Sequence, residues 1–178
     1  RKFDEQERIP QREYRQRERH YFQGRRYVLN IIEKDTAPIV NIKNKKYIDI
    51  YIRPQTPQEK RHEIITEWYR VELKKQIPEI IEKWEKVLNL KVNSWQVKQM
   101  KTKWGSCNIQ KKRIWINLEL AKKPEYCLEY IIVHEMIHLL ERHHNDRFLY
   151  YMDYYLPNWK QLKLELNKLP ISHADWGY

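Results

Sequence analysis

Ile131-Ile132-Val133-His134-Glu135-Met136-Ile137-His138-Leu139-Leu140 runs on without a break into Glu141-Arg142-His143-His144-Asn145-Asp146-Arg147-Phe148. Residues four apart on a helix lie about 40° from one another around its axis, so the imidazoles of His134 and His138 leave from one face and can share an ion. Glu135 stands about 100° round from His134, close enough to touch a water on that ion without being a ligand, as the H-E-x-x-H reading requires. The setting sharpens the motif. Tyr130, Ile131, Ile132, Val133, Met136, Ile137, Leu139 and Leu140 make the helix apolar nearly all round, and such a helix is buried. Polar groups there need partners, since unpaired ones cost several kcal/mol. Core hydrogen bonds are the plain solution and a metal ion is the other.

A zinc site with three protein ligands and one open position needs a further donor, and His143 and His144 are the nearest. On an unbroken helix His144 would sit about 240° round from His138, on the wrong side. The helix must therefore end near Glu141 or Arg142 and the chain must turn back. Asn145 and Asp146 are suitable residues to cap the helix that follows.

The pattern His134, Glu135, His138, Leu139, His144, Phe148 resembles the YgjP-like metallopeptidase domain, a relative of the SprT and WLM zincins. The likeness extends to Lys103-Trp104-Gly105-Ser106-Cys107, Ile114-Trp115-Ile116-Asn117-Leu118, Pro157-Asn158-Trp159 and Phe22-Gln23-Gly24-Arg25-Arg26-Tyr27-Val28-Leu29. His143 stands where asparagine is common in that family, and Asn145 where serine is. The resemblance implies one Zn2+ per chain on His134, His138 and His144, with Glu135 as general base. It also implies a zincin-like (minimal gluzincin-type) α+β fold in one domain, with amino-terminal β-hairpins, a long scaffold helix, a small mixed sheet and the buried H-E-x-x-H helix followed by carboxy-terminal helices.

Composition agrees with one folded unit. The chain has 178 residues, with seven Trp and thirteen Tyr beside its many charges, a mixture that folds rather than staying disordered. Cys107 and Cys127 form no spacing motif, which suits a reducing, cytoplasmic setting. Cys127 reads as a small core residue, and a ligand role for Cys107 is disfavoured. No run reaches the length of a membrane span. The net charge is +11, a statement about partners rather than fold. Lys91, Lys98, Lys101, Lys103, Lys111, Lys112 and Arg113 occur with no acid among them. Together with Trp104 and Trp115 they suggest phosphate neutralisation and base stacking, so DNA or RNA is a candidate partner through 91–113. The plain alternative is a basic surface with its aromatics turned inward.

Along the chain, 1–20 reads as a charged extension, helical or disordered, and 21–178 as the domain. Gly24-Arg25 separates two strand-like runs, and Asn44-Lys45 separates Ile39 to Lys43 from Tyr47 to Ile52. In the last of these Ile48, Ile50 and Ile52 share one face. Thr56-Pro57-Gln58-Glu59 predicts a helix start with Thr56 as N-cap, and Pro78 predicts a kink or restart. Val92 to Met100 and Arg113 to Leu118 read as strands joined through Trp104-Gly105-Ser106-Cys107. If the zincin likeness holds, a peptide adds along an exposed edge there, and Lys101, Lys103, Trp104 and Gly105 are candidate substrate or nucleic-acid contacts. His20, His62 and His173 read as surface residues. Tyr150, Tyr151, Tyr154 and His143 are candidate oxyanion donors, and Glu129, Glu141, Asp146 and Asp153 candidate carboxylates to orient the histidines. The resulting expectation is a zinc peptidase. Its rivals are a nucleic-acid-binding module with a structural metal site and a hydrolase of non-peptide substrates.

Overall fold

The computed structural model describes residues 13–168. Strands β1 (Arg19–Phe22), β2 (Arg25–Glu33), β3 (Ile39–Lys43) and β4 (Tyr47–Ile52) form a sheet in the order β1-β2-β4-β3. The β1-β2 hairpin turns on Gln23 and Gly24 with φ of 49° and 79°, the pair of positive φ values that a two-residue turn matching strand twist demands. Asn44 and Lys45, both at φ 54°, turn the β3-β4 hairpin as the sequence predicts. Ile48, Ile50 and Ile52 are all buried. The parallel pairing of β2 with β4 has no local signal, because β3 folds back outside β4 and lets β2 take its other edge.

The predicted boundary at residue 20 falls inside β1. The Arg17 amide donates to the Leu29 carbonyl at 2.8 Å, and Leu29 donates back to Glu18 at 2.7 Å. Gln16 bonds Asn30 at 3.0 Å, and the Tyr14 hydroxyl meets exposed His62. His20, expected at the surface, is buried with Glu18 2.8 Å away. A charged segment becomes ordered here because backbone pairing, rather than apolar burial, holds it. Residues 1–12 of the extension lie outside the described residues, as do 169–178 with His173.

Helix α1 (Gln58–Leu88) runs unbroken through Pro78. The restart expected there does not occur, because the helix is buried on both sides of the proline, at Ile65, Tyr69 and Leu73 before it and at Ile77, Ile80, Ile81, Trp84 and Leu88 around and after it. Thr56 is not its cap. The hydroxyl donates instead to the Arg53 carbonyl at 2.6 Å, and Pro57 takes the N-cap position without a side-chain bond. Asn89, at φ 53°, ends the helix by donating its amide to Glu85, the left-handed close of many helices.

A second sheet has the order β5-β7-β6, from β5 (Ser94–Lys98), β6 (Gly105–Asn108) and β7 (Arg113–Asn117). β5 lies parallel and β6 antiparallel to β7. The sequence marks the outer two of the three in chain order and takes Gly105 to Cys107 as a connection. Gly-Ser-Cys-Asn carries no alternation to betray a strand, and it is one only because β7 supplies the hydrogen bonds. A short 3-10 helix (Leu118–Lys122) then leads to α2 (Glu125–Ile137), α3 (Asp146–Tyr155) and α4 (Trp159–Lys168). The α2 side chains Cys127, Leu128 and all from Tyr130 to Ile137 are buried, packed among β6, β7, α1, α3 and α4. Among the described residues no helix is long and apolar enough to cross a membrane.

The β1-β2 turn is pinned to the start of α2. Gln23 and Gly24 donate to the carbonyls of Ala121 and Lys122 at 2.9 and 3.0 Å. A Cβ on Gly24 would stand 2.6 Å from Pro124 Cγ. Gly24→Ala thus combines a left-handed backbone penalty with a clash, and should lower stability by about 2–4 kcal/mol. Urea unfolding reads this directly, and an unchanged midpoint contradicts the docking.

Candidate metal centre

His134 lies in the last turn of α2 and His138 is its C-cap. Backbone bonds continue a little further, Leu139 to Met136 at 3.0 Å, Leu140 to Ile137 at 2.8 Å and Glu141 to Ile137 at 2.9 Å, then stop where the sequence predicts. Beyond that point two side chains clasp the bend. Asn145 donates its amide to Glu141 Oε1 at 3.0 Å and caps α3 by accepting from the Phe148 amide at 3.0 Å. The His143 amide also reaches Glu141 Oε1, at 3.4 Å. The reversal brings His144 Nε2 to 2.8 Å from His138 Nε2. His134, His138 and His144 each present a ligand atom within 4.8 Å of the others, the one such group of His, Cys, Asp or Glu among the described residues. His143 is outside the group and lines the cavity above it.

Phe148 closes the underside. Its ring centroid is 5.0, 4.7 and 4.8 Å from those of His134, His138 and His144. Sequence reading assigns this phenylalanine no role, and only its place at the end of the His134–Phe148 pattern points to it. His138 Nδ1 lies 3.2 Å from the Glu141 carbonyl. A carbonyl can only accept, so Nδ1 carries the proton and Nε2 keeps its lone pair. His134 Nδ1 lies 3.2 Å from Glu135 Oε2, which fixes the same tautomer there. Of the carboxylates considered, Glu141 therefore orients a histidine, though through its backbone carbonyl. Glu129 bonds Lys83 and Trp84 instead, and Asp153 bonds Trp159.

Burial lowers the pKa of His138, and the neighbouring His134 lowers it further against the raising influence of Glu135. Burial likewise lowers that of His144, aided by the other two imidazoles. Neutral imidazoles are what a metal ion needs. Ligands about 2.0–2.1 Å from a tetrahedral ion stand about 3.3 Å apart, so the donor set fits zinc in both chemistry and scale.

Glu135 is 3% exposed. Above it passes β6, so closely that a Cβ on Gly105 would meet Ile131 Cγ2 at 2.9 Å, Glu135 Cγ at 3.0 Å and the Trp115 carbonyl at 3.2 Å. Close approach, rather than turn formation, is why glycine stands there. The loop before β6 hangs on fully buried Asn117, which donates to the Met100 and Lys103 carbonyls at 3.1 and 2.7 Å and accepts from the Glu119 amide at 3.0 Å. Asn117 carries no catalytic signature in sequence, yet it sets the edge of the cleft. A cavity of about 520 Å³ results, lined by the three histidines, Glu135, Lys103, Gly105, Cys107, Arg142 and His143.

Other candidates separate cleanly. Lys103 and Gly105 line this cavity, while Lys101 does not. Trp104 is 3% exposed, with the Lys123 ammonium 5.7 Å from its ring centre, so it offers no face to a nucleic-acid base. Burial pushes Lys123 down to about 8. Cys107 lies beside the site but outside the ligand group, its thiol pushed up to about 12 by burial and by Glu135. Cys127 is a core residue as predicted. Of the oxyanion candidates only His143 lines the cavity. Tyr150 and Tyr154 stack on each other at the surface, 63% and 67% exposed, and Tyr151 accepts from Arg147.

The family model for the YgjP-like metallopeptidase domain matches residues 1–169. No curated protein matches the chain. Among solved structures, the metallopeptidase zymogen abylysin of Pyrococcus abyssi is similar at 16% identity over 51% of this chain and 90% of that one, with a TM-score of 0.47. Jannalysin of Methanocaldococcus jannaschii, also a metallopeptidase zymogen, is similar at 24% identity over 51% of this chain and 92% of that one, with a TM-score of 0.45.

Two outcomes follow from the geometry. Because His138 and His144 titrate below their ordinary 6.5 in the fold, the unfolded chain binds more protons as pH falls beneath that value. Metal-free protein should lose stability through that window and then level off. Thermal melts in chelator, compared with a His138→Gln/His144→Gln protein lacking the effect, check the sign. Gly105→Ala should cost about 1–3 kcal/mol by overpacking against Ile131 and Glu135, read by urea unfolding.

Proposed function

The chain belongs to the YgjP-like metallopeptidase-domain family, a peptidase family acting on peptide or protein substrates, and from that premise we propose that its reaction uses one zinc ion on His134, His138 and His144 with Glu135 as general base. The observation that carries the proposal is the convergence of three imidazoles beside a buried carboxylate. A closed structural site would need a fourth protein ligand, and among the described residues the group stops at three.

Zinc bound there supplies the charge that acidifies a water and polarises the scissile carbonyl. The rest of the chemistry falls to the chain. Glu135 Oε2 accepts from His134 Nδ1, 3.2 Å away, which leaves Oε1 to take the proton of the attacking water. The protonated carboxyl then returns it to the leaving nitrogen. Among the described residues β7 is the strand that pairs with β6, and an extended peptide added along the other edge of that sheet would be held by backbone bonds with weak sequence reading. His143 is the cavity residue suited to donate to the developing oxyanion.

A second, independent reading keeps contact between the 91–113 lysines and nucleic-acid phosphates, favoured by the exposure of Lys98, Lys101, Lys103, Lys111 and Lys112. It predicts binding that weakens steeply with salt.

The test pairs two variants. Glu135→Gln should retain one zinc per chain and lose about 10²–10⁴-fold in kcat, whereas His134→Ala should lose the metal itself. Metal analysis and peptide cleavage are measured together. A Glu135→Gln protein with undiminished turnover removes the general-base role, and stoichiometric zinc in His134→Ala removes the ligand assignment.

A further inference from the structure

Arg142 borders two clefts at once. Besides the cavity over the histidines it lines a second one of about 430 Å³, with Ser106, Asn108, Gln110 and Trp115, a volume in the range of pockets that accept small ligands. Both clefts share the β6 residues Ser106 and Cys107, so a peptide laid along that strand passes from one into the other.

The charges around this path are one-sided. The second cleft is lined by a guanidinium, a hydroxyl and amides, and by no carboxylate. In the first the lone carboxylate is Glu135, set against Lys103 and Arg142. Asn108 already uses its carbonyl oxygen to accept from the Lys111 amide at 3.0 Å, which leaves its NH2 as the group to offer. Arg147, the neighbouring arginine, is tied to Tyr151 at 3.2 Å and lies 3.9 Å from Glu141. Arg142 is exposed, and its guanidinium has no ion-pair partner among the described residues.

We propose that the second cleft is a subsite for a substrate carboxylate, received by Arg142, so that peptides with an acidic side chain or a free carboxyl terminus at a fixed distance from the scissile bond are preferred. A planar guanidinium matches a carboxylate with two parallel bonds, and a substrate lysine in the same place meets it with like charge. The inference rests on the peptidase reading above and deepens it by naming a substrate class.

The experiment uses labelled peptides of one sequence with Glu, Gln or Lys at each position in turn, and with the terminus free or amidated. Binding to zinc-loaded Glu135→Gln protein is followed by anisotropy, beside cleavage by the unsubstituted enzyme. At one position Glu should bind about tenfold more tightly than Gln, the order of a charge-assisted bond, with Lys weaker still. A terminal carboxylate shows itself instead as a difference between free and amidated peptides. Arg142→Ala should flatten the preference, Arg142→Glu reverse it toward Lys, and Arg142→Lys keep part of it. A preference for Glu that survives Arg142→Glu, or binding indifferent to charge at every position, overturns the subsite. Cleavage without charge preference rejects the subsite and spares the peptidase reading, whereas charge-selective binding without cleavage by the unsubstituted enzyme does the reverse.

Discussion

Glu141 holds the centre together from two directions. Its carbonyl receives the Nδ1 proton of His138, and its carboxylate receives the Asn145 amide. The first bond aims an imidazole. The second closes the bend that carries His144 back over a helix it has just left. Without that reversal the third histidine would face away from the other two, since helical geometry alone places it most of a turn off. The bend contains no glycine, so side-chain bonding does what backbone freedom does elsewhere.

Around this clasp the protein solves a second problem, that of keeping polar groups inside an apolar helix. α2 is buried almost throughout, and burial lowers the basicity of His138 at its end. The same burial would be a penalty if those groups were unpaired. Glu135 and the Glu141 carbonyl pair the imidazoles on one side, and the opposite lone pairs converge where a cation fits. Phe148 sits against all three rings, so the cage has an apolar floor and an open top.

The open top is bounded by an edge strand that owes its position to contacts far from it in sequence. Asn117 suspends the preceding loop, Gly105 lets the strand settle on Ile131 and Glu135, and β7 is its sheet partner among the described residues. The amino-terminal sheet acts at longer range, pressing the Gly24 turn on the residues that lead into α2. The edge strand and the three histidines are thereby parts of one packed unit.

The sequence by itself determined what local periodicity can encode: the buried helix with its two histidines on one face, both hairpin turns of the first sheet, the alternation of Ile48, Ile50 and Ile52, and the cap at Asn145. It also required a reversal before His144, since spacing on a helix is a fixed angle. Tertiary structure decided the rest. His144 rather than His143 joins the group because the Glu141 and Asn145 bonds set the phase of the bend. Gly105 to Asn108 is a strand because β7 is beside it. α1 runs through Pro78 because burial on both flanks outweighs one missing hydrogen bond, and Trp104 points inward against a composition that suggested a stacking surface. Each of these depends on partners distant along the chain, and no window of neighbouring residues contains them.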